Sequence, residues 1–293
     1  MRVFITGGTG LIGSAVVREL LAHDHTVLAL ARSESSADAL RSAGAEPVLG
    51  GLGDHQVIRD AVARVDGVIH LAFSNDFSSP EALAAGIAEE AGALEAIGAA
   101  LVGSDRPFVV CSGTPAAEGR PSTESDPLLL EGPVAGRSIG VARALALADQ
   151  GVRTSAVRLP RTVHADGNGG FAGLLTQIAR SNGVATYPGD GTQRWPAVHA
   201  ADAASLFRLA LEKAPAGSAW HAVDDEGDQV RDIVETIGRR LGLPVTSVPA
   251  ETFGPLGPIF SADQPSSSEV TRRELGWTPT HPSLLADLEN LQP

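Results

Sequence analysis

Met1-Arg-Val-Phe-Ile-Thr-Gly-Gly-Thr-Gly-Leu-Ile-Gly13 opens the chain and decides how the rest is read. The apolar run from Val3 to Ile5 predicts a buried strand, and Gly7, Gly10 and Gly13 then fall at GxxGxxG spacing before the apolar periodicity of a helix. The three glycines serve different ends. Gly7 permits a tight turn, Gly10 lets the backbone approach a pyrophosphate, and Gly13 lets helix and strand pack closely. Amides at the helix start have no partner within the helix and point at an anion. A glycine pattern alone is weak. Set between a strand and a helix, with a second strand at the right distance, it predicts a dinucleotide site with Gly7, Thr9, Gly10, Leu11 and Ile12 at the phosphates.

Strands are expected at 2–6, 26–31, 46–49, 67–72, 107–111 and 153–158, with helices near 11–22, 35–43, 55–64, 80–102 and 134–150 between them. That alternation is the βαβ rhythm of a parallel sheet covered on both faces. Past Pro160 the rhythm breaks: Gly167 to Gly170 and Pro188 to Gly191 mark loops, and helices at 202–213 and 228–241 lead to a Pro- and Ser-rich segment. The expected division is residues 1–160 for the dinucleotide and 161–293 as a smaller lobe packed on that domain.

The 293 residues suffice for a sizeable core, and a net charge of −13 offers no basic stripe for nucleic acid or an anionic membrane. One cysteine, Cys111, excludes an internal disulfide framework and a Cys-rich zinc site. The short N-terminal apolar run lacks a signal-peptide layout, and no apolar segment is long enough to span a bilayer, so a cytoplasmic location is expected. No His, Asp or Glu cluster has convincing metal-ligand spacing.

Beyond the glycine turn, the chain carries His70-Leu-Ala72 ending the fourth strand, Arg158-Leu-Pro160, Val198-His199 with Asp202 opening a helix, and Leu275-Gly-Trp277-Thr-Pro279 near the C-terminus. On these motifs it resembles the extended short-chain dehydrogenase/reductase superfamily, of the NAD-dependent epimerase/dehydratase type, over nearly its whole length. The resemblance implies an α/β Rossmann-type doubly wound parallel sheet that holds NAD(P), followed by a smaller C-terminal substrate-binding lobe. It also implies that Leu71, Ala72, Phe73, Leu159, Pro160 and Val163 contact the cofactor.

An acidic residue at the end of the second strand would bind the ribose hydroxyl of NAD and repel the 2′-phosphate of NADP. This chain has Arg32 and Ser33 there, a guanidinium and a hydroxyl suited to a phosphate, so NADP(H) is the expected cofactor. Gly51 stands where relatives commonly carry an Asp near the adenine; Leu52 can still contact adenine through its backbone.

The superfamily's usual Tyr-x-x-x-Lys pair is missing, since the only tyrosine is Tyr187 and the only lysine Lys213, both downstream of the helix in question. The chain thereby resembles atypical members of the superfamily. Arg137 can supply the positive charge near the nicotinamide ribose, although its pKa is too high for an ordinary general acid. Ser112 and Thr114, at the end of the fifth strand, fall in the turn of the family's catalytic hydroxyl and can polarise a carbonyl oxygen; Gly113 leaves open which of the two matches. The resemblance implies that the loop from Arg158 to Phe171 passes the nicotinamide and forms one wall of the substrate pocket, with His164 and Asp166 as speculative site residues within it. Cys111 reads as a small core residue, and His199 with Asp202 as a backbone anchor.

Phe73, Phe77, Phe171, Tyr187, Trp195, Phe253 and Phe260 suggest an apolar or cyclic substrate, or alternatively the core of the small lobe, and Arg120 and Arg194 are candidates for binding a substrate carboxylate or carbonyl. The leading expectation is an NADPH-dependent reductase of a small organic molecule. The alternatives are an NADP-binding sensor without catalysis, or an isomerase, epimerase or lyase that retains its cofactor. The Ala- and Gly-rich segments 80–102 and 134–150 match the helices that pair across the dimer in relatives, so a homodimer is expected.

Overall fold

β1 (Arg2–Thr6) buries four successive residues, and β2 (Thr26–Ala31) buries five, the continuous apolar signature of strands covered on both faces. Between them α1 (Leu11–Ala22) turns Ala15, Val16, Val17 and Leu20 toward the sheet. The structure, a computed structural model, describes residues 1–74, 76, 79–128, 130 and 135–292.

The alternation continues through α2 (Glu34–Ser42), β3 (Glu46–Leu49), α3 (His55–Val62), β4 (Gly67–His70), α4 (Pro80–Leu101), β5 (Pro107–Gly113), α5 (Ala135–Ala146) and β6 (Arg153–Leu159). Then come β7 (Thr162–His164), α6 (Gly170–Asn182), β8 (Ala185–Pro188), β9 (Arg194–His199), α7 (Ala200–Lys213), β10 (Ser218–His221), β11 (Asp225–Gln229), α8 (Val230–Leu241) and β12 (Val245–Val248). Three short helices close the chain: α9 (Gly257–Phe260), α10 (Glu269–Leu275) and α11 (Leu284–Leu288).

Seven strands form the main sheet in the order β10-β6-β5-β4-β1-β2-β3. The order reverses at β1, with parallel neighbours β2 and β4 in register at Val3↔Val27 and Val3↔Gly67. This is the Rossmann arrangement, which leaves a crevice beyond the carboxyl ends of β1 and β4.

The chain forms two compact units. The first comprises Met1–Ser112, Pro127–Arg158 and Ala204–Trp220, around a core that includes Phe4, Leu28, Ile58, Val68, Ile97 and Phe108. Most of α7 belongs to it for a physical reason: Arg208 donates to Glu19 of α1 at 2.7 Å and to Glu212 at 3.0 Å, and Arg153 caps α7 through the carbonyls of Leu211 and Ala214. The second unit comprises Gly113–Asp126, Leu159–Ala203 and His221–Pro293. One crossing falls at Arg158/Leu159, beside the boundary expected near residue 160; the others follow from long-range pairs that local sequence does not reveal.

The second unit holds a three-stranded sheet, β11-β9-β7, and the parallel pair β12-β8. Its core decides between the two aromatic readings for two of the rings. Trp195 and Phe260 have no exposed surface and pack on Phe171 and Phe253 with ring centroids 5.1–5.8 Å apart. These two rings are core; Phe77 lies outside the described residues.

Asp202 ties the C-terminal segment to this unit. Its carboxylate accepts from the backbone amides of Thr280 and His281, each at 3.0 Å, and from the His281 ring at 2.9 Å, while its carbonyl accepts from buried Trp277.

Candidate functional site

The glycine turn joins β1 to α1, and the three glycines differ in what they could tolerate. Gly7 has φ +77°, and a Cβ there would lie 2.8 Å from the Ala72 amide nitrogen. At Gly13 a Cβ would sit 2.0 Å from the Gly7 carbonyl oxygen, so only glycine lets α1 approach the turn. Gly10 is different. Its nearest neighbour would be the Gly7 oxygen at 3.6 Å, an ordinary contact, and its φ of −74° suits any residue. The fold does not require glycine at position 10, whereas a ligand against the backbone would. α1 starts there without a side-chain cap, leaving its first amides for an anion.

A cavity of about 360 Å³ opens beside this turn. Eight of the expected cofactor residues line it: Gly7, Thr9, Gly10, Arg32, Leu52, Leu71, Ala72 and Phe73. Leu11 and Ile12 stand in the first turn of α1, outside the lining, with Leu11 42% exposed. Ser33 is the N-cap of α2, accepting from the Ser36 amide at 3.2 Å and bonding the Ser36 hydroxyl at 3.1 Å. Ser36, Ser74 and Glu89 line the cavity as well and were missed. The Ser-x-x-Ser spacing before a helix could have revealed Ser36; nothing local marks Glu89. Among the described residues Arg32 has no ion-pair partner.

Thr6 and His70 fix a tautomer at the ends of β1 and β4. The Thr6 hydroxyl oxygen accepts from the amides of Leu71 and Ala72, so its proton goes to His70 Nδ1 at 2.9 Å. His70 therefore carries its ring proton on Nε2, which is buried without a partner among the described residues. Burial, helped by the Arg137 charge, lowers its pKa to about 3, so the ring stays neutral at physiological pH.

Arg137, on α5, is held firmly. Its Nε and Nη2 donate to the two oxygens of Glu90 at 2.8 and 2.9 Å, and its guanidinium carbon lies 3.8 Å from the centre of the Phe73 ring. Glu90, on α4, is only 4% exposed. Burial opposes the Arg137 charge, but the bond and charge of Glu90 outweigh it and the pKa rises. Nη1 remains without a hydrogen-bond partner among the described residues. Burial pushes the Cys111 thiol to about 11, despite the nearby Arg137 charge, so it is a protonated, partly buried side chain and not a nucleophile. Ser112, next to it, is half-buried. Gly132, Pro133 and Val134, which precede α5, lie outside the described residues.

In the second unit Thr114 is buried; its amide donates to the Leu159 carbonyl at 2.9 Å and its hydroxyl oxygen has no partner among the described residues. Leu159, Pro160 and Val163 are buried in the same unit. His164 Nδ1 and Asp287 Oδ2 bond at 2.8 Å, an internal pair with both residues under 5% exposed. Asp166 lies in a turn at φ +53°. Tyr187 lies on β8 and Lys213 at the end of α7, so neither is on α5.

His199, Asp202 and His281 come together, which their sequence spacing did not suggest. The two imidazoles are stacked at 4.7 Å and 6° from parallel, so their in-plane lone pairs do not converge on one point as tetrahedral metal ligation requires. Arg120 and Arg194 are already engaged: Arg120 grips Asp126 through both ends at 2.8 and 2.6 Å, and Arg194 is paired with Asp263 at 2.8 Å.

Comparison with known proteins places this arrangement. Residues 3–223 match the model of the NAD dependent epimerase/dehydratase family. An uncharacterized protein of Schizosaccharomyces pombe, C2A9.02, is 44% identical over 98% of each chain. The 2-alkyl-3-oxoalkanoate reductase of Stenotrophomonas maltophilia is 30% identical over 83% of this chain and 77% of its own. Among solved structures, a UDP-glucose-4-epimerase of Stenotrophomonas maltophila with bound NAD and formylated UDP-arabinopyranose superposes with a TM-score of 0.79 at 21% identity, covering 99% of this chain and 96% of its own. The glycine turn, the strand order and these matches agree: the chain belongs to the NAD dependent epimerase/dehydratase family, within the extended short-chain dehydrogenase/reductase superfamily.

Proposed function

We propose that the chain is a cytoplasmic, NADPH-dependent reductase of a small organic molecule with a carbonyl, imine or activated alkene. The observation that carries the cofactor half is the cavity beside Gly10, where Arg32 has no acidic partner among the described residues and no carboxylate directly follows β2. When bound, the nicotinamide supplies a hydride from its C4. The chain's own residues do the rest. Arg32, with Ser33 and Ser36 at the start of α2, holds the 2′-phosphate; the α1 amides hold the pyrophosphate. Glu90 aims Arg137, whose Nη1 is left to bond the nicotinamide ribose. Ser112 or Thr114 donates a hydrogen bond to the acceptor atom as negative charge develops there, and water supplies the proton that completes the reduction. The likeness to a reductase of 3-oxoalkanoates supports a carbonyl as that acceptor.

One experiment tests both halves: fluorescence titration of NADPH and NADH, with NADPH consumption measured against a panel of carbonyl and imine compounds. Arg32→Ala should weaken NADPH about tenfold, the low end for a charge-assisted bond at an exposed group, and leave NADH unchanged. Ser112→Ala with Thr114→Val should retain NADPH affinity and lower turnover by about 10²-fold. Equal losses for both cofactors would remove the NADP argument, and tight binding with no consumption of any compound would favour a sensor.

We also propose a homodimer through α4 and α5. These helices line a groove of about 640 Å³ whose walls include Ala88, Ala91, Gly92 and Ile139, and Val102 and Ile139 are 49% and 40% exposed. Small residues there allow a second copy to approach closely. Ala88→Glu is expected to halve the mass seen by light scattering while NADPH binding persists; a wild-type monomer at micromolar concentration would overturn the assembly.

A further inference from the structure

Arg161 follows β6 in the second unit, within the loop Arg158–Phe171 expected to form a wall of the substrate pocket. Its Nε donates to Gln264 Oε1 at 2.7 Å and its Nη1 to the Ile259 carbonyl at 2.8 Å, both neutral acceptors. No carboxylate pairs with it among the described residues, and Nη2 has no partner there. Burial lowers its pKa to about 10, although it remains charged at neutral pH.

Two other arginines held by backbone carbonyls, Arg106 and Arg153, sit where the backbone itself favours a cation. Arg106 bonds the carbonyls of Val62, Val65 and Ala100, and Arg153 those of Leu211 and Ala214, at or near the C-terminal ends of α3, α4 and α7 where the helix dipole favours a cation. Arg161 lies at the opposite kind of end. Its guanidinium sits 5.5 Å from the centre of the Phe171 ring, in the first turn of α6, and the Arg161 carbonyl accepts the Phe171 amide. The N-terminus of α6 has no side-chain cap and adds positive potential. A desolvated cation beside a helix N-terminus, with no counter-ion and one nitrogen unused, is unfavourable until an anion arrives.

We propose that Arg161 is an anion subsite for the substrate's carboxylate, with the half-buried Phe171 ring as the apolar wall beside it. The inference rests on the reading of the chain as a reductase of a small organic molecule, and it narrows that substrate to one with a carboxylate next to an apolar body. Arg120 and Arg194 cannot serve this role without giving up Asp126 and Asp263.

The test uses benzoate and its neutral analogue benzamide as probes of the full chain. The Arg161 Nε–H resonance, assigned by its loss in Arg161→Lys, should shift saturably with benzoate and not with benzamide. Arg161→Gln should bind benzoate about tenfold or more weakly, the ratio expected for loss of a charge-assisted hydrogen bond, while its NADPH affinity stays at the wild-type value. The resonance shift is read in the wild-type chain, so it stands even where the glutamine variant misfolds. No saturable shift, an equal response to benzamide, or undiminished benzoate binding by Arg161→Gln would each overturn the subsite. Loss of NADPH binding by the wild-type chain would instead overturn the cofactor reading, which keeps the two failures apart.

Discussion

Gly13→Ala is expected to destabilise the chain by ~3 kcal/mol or more and to abolish NADPH binding, whereas Gly10→Ala keeps the fold and binds NADPH at least about tenfold more weakly. The difference is geometric. A Cβ at position 13 would meet the Gly7 carbonyl oxygen at 2.0 Å and its carbon at 2.7 Å, and backbone in a tight turn has no rotamer by which to retreat. Overpacking costs about 1–3 kcal/mol when side chains can adjust, so a clash with backbone belongs at or above that range. At position 10 the same methyl has room in the free chain, and the cost is only ~0.5–1 kcal/mol for a poorer N-cap. It occupies the surface where the pyrophosphate must approach, so NADPH should weaken by at least about tenfold, or ~1.4 kcal/mol. Urea melts and NADPH titrations of both variants decide the matter. Wild-type affinity in Gly10→Ala would sink the phosphate assignment at this turn.

The second large effect is at Arg137. Arg137→Met should cost ~3 kcal/mol of stability, because it leaves the Glu90 carboxylate buried without its partner. That figure is the low end of the range for broken buried pairs, since the arginine side chain keeps 29% of its surface while the glutamate keeps 5%. Glu90→Leu combined with Arg137→Met should recover most of the loss, since no isolated charge remains. A double variant whose urea midpoint is no higher than that of Arg137→Met would show that the pair is not what holds the two helices there. The double variant should still bind NADPH but lack the positive charge assigned to the ribose, so its turnover should fall.

Periodicity in short windows carried nearly all of the first half. The expected strand 26–31 is β2 to the residue, and the helix expected at 80–102 is α4 within one position, because burial on two faces and the 3.6-residue repeat are local properties. The glycine turn was legible for the same reason, as was Arg32 at the end of β2. What the sequence hid are partnerships made by topology. Glu90 and Arg137 are brought together by the packing of α4 on α5, and Asp202 finds Thr280 and His281 across most of the second unit. The loop holding Arg161 was expected at the site, but what distinguishes Arg161 within it is a missing partner, which becomes visible only once every neighbouring carboxylate has been placed. The aromatic residues left two readings open because side-chain type does not say which way a ring faces: Trp195 and Phe260 look the same in sequence whether they line a pocket or fill a core.

The interleaving of the two units bears on how the chain is made. Synthesis runs from the N-terminus at about 5–20 residues per second, and a contiguous N-terminal domain can fold as soon as its last residue emerges. Here the first unit lacks Ala204–Trp220 until nearly all of β7 through α7 has also been translated. Until then the Arg208 partner of Glu19 and the carbonyls that bind Arg153 are missing, and β6 is an open edge without β10. An exposed parallel edge is a template for wrong pairing with another nascent chain. A fragment ending near residue 160 would remain in that state permanently, so isolating the first unit calls for a chain in which a linker replaces residues 159–203 and joins Arg158 to Ala204, not a simple truncation.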